Sequence, residues 1–160
     1  MDTVDKATRS KIMSRVGQRD TGPEIRLRHA LHRIGFRYRL NDKTLPGSPD
    51  LVFPRFRAVI FVHGCFWHAH GCKFSTIPST RKKFWLEKFK TNKNRDKRNI
   101  DLLLSSGWRV LIVWECALKR NQRNAFTRLV SSIARWLMSN RRIREIGETV
   151  QPLNWSAIAY

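Results

Sequence analysis

The stretch from Val59 to Cys72 (VIFVHGCFWHAHGC) constrains the chain most, because it holds three of its five histidines and two of its three cysteines. Val59 to Val62 is short, β-branched and aromatic, the composition of a strand covered on both faces. Gly64 ends it, and Cys65, His68, His70 and Cys72 then follow around Phe66 and Trp67. A tetrahedral zinc site takes about four Cys or His ligands. Cys65, His70 and Cys72 lie within a span that one tight loop can fold around an ion, so the fourth ligand comes from elsewhere. Cys116 is the remaining cysteine, directly behind a second apolar run, Arg109 to Trp114. A helix between the two runs predicts parallel strands in one sheet, both ending at the same edge. Cys65 and Cys116 then meet there. Three buried free thiols are the plainer alternative, but the His-x-Cys spacing and the position of every thiol behind a strand favour zinc. By spacing alone His68 and His70 can exchange roles, since His68-Ala69-His70 also suits a ligand pair.

At 160 residues the chain suits one domain with a core of its own. Lysine and arginine number 32 against 12 acids, giving a formal net charge of +20. Nucleic acid is the economical partner for such a bias, because phosphate neutralisation dominates that kind of binding. Ribosomal and membrane-surface proteins share the charge, so it gives a class of partner and not a reaction. Three cysteines without a signal peptide point to a reducing compartment and a soluble, cytoplasmic protein. No apolar run approaches the ~18 residues of a membrane span.

Residues 1–20 are basic and poor in apolar side chains, which predicts an arm that orders on DNA, with Ile12 and Met13 as its apolar points. Thr21 to Glu24 reads as a capping box. Leu27, Ala30, Leu31 and Ile34 follow at helical spacing, and Gly35 stops the helix. Phe36, Tyr38 and Leu40 alternate with arginines as in a half-exposed strand. Asp50 then opens the strand Leu51 to Phe53. An acid entering a strand, with the end of the next strand some ten residues later, is the layout of the PD-(D/E)xK nuclease core. The Glu-x-Lys expected there is replaced by Phe61-Val62-His63.

The crossover runs from 73 to 108, with a helix start at Pro78 to Thr80. Phe84, Trp85 and Phe89 are expected to pack inward while Lys82, Lys83, Lys88 and Lys90 face phosphate. The basic run Lys90 to Arg98 is either a solvated face or a DNA contact, and the overall charge favours DNA. Asp96 pairs with Arg95 or Lys97 in the simplest account. Phe126, Leu129, Val130, Ile133, Trp136 and Leu137 mark an amphipathic helix covering the core. Residues 141–160 show no motif.

His63-Gly-Cys-Phe-Trp-His68 with His70 and Cys72 resembles the signature of the very-short-patch repair (Vsr) DNA mismatch endonucleases. The likeness extends through Asp5 to Ser10, Leu45 to Asp50, Phe84 to Lys88 and Gly107 to Ala117, and leaves out the tail after about Ser139. It implies an α/β, restriction-endonuclease-like core, a mixed central sheet flanked by helices, with a structural Zn²⁺ site. Residues 21–138 would form the nuclease domain between the 1–20 arm and a 139–160 tail. The resemblance assigns Zn²⁺ to Cys65, His70, Cys72 and Cys116. It assigns catalytic Mg²⁺ to Asp50 and the backbone carbonyl of Val62, where relatives carry Thr; Ala69 also departs, standing where His is frequent.

Hydrolysing a phosphodiester requires an activated water, charge neutralisation and help for the leaving oxygen. His68 is the candidate general base, because imidazole is the side chain most often used to take and return a proton in catalysis. The resemblance gives Asp96 its orientation, His63 the scissile phosphate or a metal-bound water, and Glu24 an outer-shell role besides its cap. Phe66 and Trp67 sit inside the metal loop, and aromatic wedges unstack weak base steps at least cost. Met13 would wedge from the opposite side. Trp85 either extends the aromatic surface or packs into the core.

The expected activity is a nick in one strand, 5′ to the thymine of a T:G mismatch left by deamination of 5-methylcytosine. The expected partners are double-stranded DNA carrying that mismatch, with the mismatch-repair machinery and a repair polymerase, for a monomer in the bacterial cytoplasm. A restriction-like or structure-specific endonuclease of the same core is the alternative enzyme. A non-catalytic, zinc-stabilised DNA-binding protein is the alternative class, but binding alone requires none of Asp50, His63, His68 and Asp96.

Overall fold

A computed structural model describes residues 20–119 and 123–148, and the order of elements follows the alternation of apolar runs and helical patterns. Helix α1 spans Gly22–Arg33, strand β1 Arg39–Leu40 and β2 Leu51–Phe53, and β3 covers Ala58–His63 after a short 3-10 turn. Helix α2 runs Lys82–Ser105 and β4 Arg109–Trp114. Helix α3 (Glu115–Leu118), α4 (Arg123–Leu137) and β5 (Ile143–Ile146) complete the described residues. The five strands lie side by side in sequence order. β1, β2 and β3 are antiparallel neighbours, whereas β3, β4 and β5 are parallel.

β3 and β4 are parallel for the reason the sequence offers: a helix joins two continuous apolar runs, and the pair is covered on both faces. Alternation sends Ala58 and Ile60 to one face, where α1 and α4 supply Leu27, Leu31, Leu129, Ile133 and Trp136. Val59 and Phe61 go to the other, with Val110, Ile112 and Leu103 of α2. Each such side chain contributes roughly 1.5–3 kcal/mol by leaving water. The register places His63 opposite Trp114, so both strands end together and release their loops at one edge.

Helix α1 ends as expected. Gly35 takes φ +98°, and the amides of Gly35 and Phe36 return to the carbonyls of His32 and Leu31 in a Schellman pattern. Its start differs from a capping box. Thr21 is the N-cap, but its hydroxyl donates to Glu24 Oε1 (2.9 Å) instead of receiving a backbone amide, and the second carboxylate oxygen accepts from the Asp20 amide (3.0 Å).

Helix α2 begins at Lys82, later than Pro78 to Thr80, because Arg81 adopts a left-handed conformation and turns the chain first. Phe84 does not pack inward. It is 46% exposed with the Arg81 guanidinium over its ring. β5 lies within the 141–160 stretch that shows no motif, and its pairing with β4 extends the sheet past residue 138. Arg109 ties this end together: its guanidinium donates to the carbonyls of Phe56, Trp136, Leu137 and Ser139.

Candidate active site and metal centre

Asp50 stands just before β2, against the end of β3, where its carboxylate Oδ2 accepts the Val62 amide at 2.7 Å. The carboxyl is raised to about 6, first by burial and then by the negative charge of Glu24; the Val62 amide and Arg28 oppose the rise. Glu24 itself is buried. The Arg28 guanidinium holds it at 3.0 Å and also pairs with Asp20. Asp50 and Glu24 therefore share one acidic corner beside the Val62 backbone, and Arg28 is the cation that tempers it.

One residue further along β3, His63 turns to the other face and stacks on His68, ring centroids 3.9 Å apart and planes 6° from parallel. Two imidazoles at that distance disfavour a double positive charge. His63 is held down to about 3, first by burial and then by His68, so it is neutral at physiological pH. His68 Nδ1 meets Asp96 Oδ2 at 2.5 Å. Burial pushes Asp96 up, but the hydrogen bond and charge of His68 outweigh it and leave the carboxyl below its ordinary value. Asp96 also contacts Arg95, whereas Lys97 pairs with Asp101. An imidazole held through Nδ1 keeps Nε2 free to take a proton.

The loop after β3 reverses at Ala69, which takes φ +46° and returns His70 toward α3. Its Nδ1 lies 3.6 Å from Cys116 Sγ, and Cys65 Sγ accepts the Cys116 amide at 3.3 Å. The donor atoms of Cys65, His70, Cys72 and Cys116 all lie within 4.8 Å of one another. Ligands placed about 2.0–2.3 Å from a tetrahedral ion are themselves roughly 3.5–3.8 Å apart, so this donor set fits a metal of zinc's chemistry. All three cysteines are free and buried. Burial, and then the neighbouring Cys72, push the Cys65 and Cys116 thiols up, and burial pushes His70 down. A cation would therefore have to displace thiol protons, and it would meet an imidazole that holds its own proton less tightly than usual.

Phe66, Trp67 and Trp85 come together. Phe66 lies edge-on to Trp67 (5.2 Å) and to Trp85 (5.1 Å), over a buried Phe89 at 5.5 Å. The first three are half-buried, neither core nor fully solvated. Met13 and the 1–19 arm lie outside the described residues. Three site neighbours have no sequence signal of the kind used above. Asn92 is buried and donates to the Trp67 carbonyl (2.8 Å); Glu115 accepts the Cys65 amide (3.3 Å); and Trp114 stacks on His70 at 4.1 Å. A polar residue in a basic helix reads as solvated, and a tryptophan ending a strand reads as core.

An imidazole hydrogen-bonded to a half-buried carboxylate, on a strongly basic chain, suits an enzyme that hydrolyses nucleic acid. The family described as DNA mismatch endonuclease Vsr matches residues 1–74. The DNA mismatch endonuclease Vsr of Escherichia coli (strain K12) is 48% identical over 136 residues, covering 85% of this chain and 87% of that protein. The type II nicking enzyme V.XorIIP of Xanthomonas oryzae pv. oryzae is 46% identical, covering 73% of this chain and 86% of its own. V.NmeAIP of Neisseria meningitidis, also a type II nicking enzyme, is 41% identical over 82% of this chain and 96% of its own. The chain belongs to the Vsr family of DNA mismatch endonucleases.

Proposed function

We propose that this protein nicks one strand of duplex DNA on the 5′ side of the thymine in a T:G mismatch left by deamination of 5-methylcytosine. The observation that carries the reading is the dyad of His68 and Asp96, joined at 2.5 Å, with His63 stacked against it at the end of β3. His68 Nε2 takes the proton of the attacking water while Asp96 fixes the tautomer and bears part of the resulting positive charge. His63, neutral throughout, donates or accepts one hydrogen bond at the scissile phosphate.

Asp50 and the Val62 carbonyl flank the same strand end, in the manner of a PD-(D/E)xK core whose second acid is replaced by backbone. They would hold Mg²⁺, which when bound supplies charge neutralisation at the phosphate and the leaving oxygen. Glu24, buried beside Asp50, fits an outer-shell acid as well as a helix-start contact. Cys65, His70, Cys72 and Cys116 would hold Zn²⁺ and staple the ends of β3 and β4. Phe66 and Trp67, backed by Trp85, would enter the duplex at its weakest step, because unstacking costs a few kcal/mol and least at a mismatch. Met13 would meet them from the arm.

The test is a labelled duplex with one T:G pair in a CT(A/T)GG context against its T:A counterpart, with Mg²⁺ and with EDTA. A single Mg²⁺-dependent nick beside the mismatched thymine supports the reading. Equal cutting of both duplexes would discard the mismatch role, and binding with no product would discard catalysis.

A further inference from the structure

We infer that Glu145 and Gly147, at and just beyond β5, are positioning residues that act through Trp114 to hold the histidines of both centres in place. Trp114 touches all three site histidines. It stacks on His70 (4.1 Å, 17°) and lies edge-on to His63 (5.3 Å) and His68 (6.2 Å). The indole is therefore a side chain common to the cysteine–histidine cluster and the histidine–aspartate dyad. A ring in that position transmits any rotation of its own to both.

The last described segment of the chain restrains that rotation. Glu145 Oε2 accepts the indole Nε1–H at 3.2 Å. Gly147 closes the other side: a Cβ there would stand 2.8 Å from Trp114 Cδ1 and 3.1 Å from His70 Cε1 and Nε2. The Glu148 amide then donates to Cys116 Sγ at 3.3 Å. Glu145, Gly147 and Glu148 thus contact a tryptophan, a histidine and a cysteine of one site from β5 and the two residues that follow it, a stretch whose sequence shows no motif. An exposed glutamate on an edge strand otherwise contributes little, and a glycine without positive φ has no backbone need to be one. The site explains both.

This inference rests on the nicking role proposed above, and its test keeps the two apart. Glu145→Ala, Glu145→Gln and Gly147→Ala are compared with wild type in the full-length, metal-loaded protein. Three quantities are read: the single-turnover nicking rate on the T:G duplex, the KM for that duplex, and the rate at which a colorimetric chelator withdraws zinc. Groups that orient metal ligands typically change activity or metal retention by about 10–100-fold. Glu145→Ala and Gly147→Ala should slow nicking and speed zinc release by about tenfold, with KM within about twofold, and Glu145→Gln, which keeps an acceptor oxygen, should restore both rates. If the alanine variants melt earlier but nick and hold zinc as wild type does, the residues only support the fold and the inference fails. It fails equally if Glu145→Gln is as impaired as Glu145→Ala. A wild type that neither nicks the mismatch nor carries zinc would instead overturn the functional reading beneath it.

Discussion

Burial and ionisation pull Asp50 in opposite directions. Its folded pKa, raised to about 6 chiefly by burial, exceeds the ordinary 3.8. The metal-free folded state therefore binds that proton more tightly than the unfolded chain does. The resulting stabilisation is complete below about pH 4 and is lost as pH rises through about 6. Above it the ionised carboxylate costs on the order of 3 kcal/mol, taking about 1.4 kcal/mol per pKa unit. Asp50→Asn keeps an acceptor for the Val62 amide and removes the charge. In metal-free buffer at pH 8 it should raise the melting temperature, with no gain at pH 4, and it should abolish nicking at any pH. A lower melting temperature at pH 8 would show that the corner wants its charge. His68→Ala makes the complementary case: nicking should fall by about 10²–10⁴-fold, the usual worth of a general base, while duplex binding in a gel-shift assay stays within a few-fold of wild type.

Helix α2 carries the site on one stripe. Trp85, Phe89, Asn92 and Asp96 recur at helical spacing and face the loop after β3, supplying in turn the aromatic backing, the tether to the Trp67 carbonyl and the partner of His68. Asn92→Ala leaves that carbonyl short of its donor and should cost about 1–3 kcal/mol in chemical denaturation. It should also reduce the preference for T:G over T:A, since the wedge loop loses its floor; an unchanged preference would detach Asn92 from recognition. The same helix shows what sequence carries and what it does not. The parallel pairing of β3 and β4, and with it the meeting of Cys65 and Cys116, is legible because two continuous apolar runs flank one long helix. Phe89 is legible as core by period. Phe84 is not, because an apolar residue one step off the stripe cannot be told from one on it until a helix start fixes the phase. Asp96 has several bases within reach in sequence and the residues alone do not choose among them; the resemblance points to His68, and the fold joins the two at 2.5 Å. β5 escapes altogether, since Ile143-Arg144-Glu145-Ile146 gains its order from the β4 edge and not from its own pattern.

Over the whole molecule two kinds of force act on DNA, and they are separable by measurement. A net charge of +20 attracts phosphate without regard to the bases. On the function proposed above, the aromatic cluster and the cysteine–histidine loop that carries it would respond to the strength of one base step. The staple should be removable as a unit: Cys116→Ser should lose zinc by elemental analysis and lower the melting temperature, because the two strand ends are then joined by packing alone. Unchanged metal content would count against it. The division of labour itself makes a sharper demand. Contacts with 6–10 phosphates lose about 10³–10⁵ in affinity between 50 and 200 mM salt, so T:G and T:A duplexes should weaken in parallel on a log–log plot and keep their ratio. Trp67→Ala should do the reverse. It leaves the phosphate contacts and hence the salt slope intact, while the ratio of affinities falls by about tenfold or more, a loss of the 1–3 kcal/mol that base–aromatic stacking is worth. If the substitution flattens the slope and spares the ratio, the aromatic surface is merely seating the protein on the backbone, and mismatch selection must be sought elsewhere on the chain.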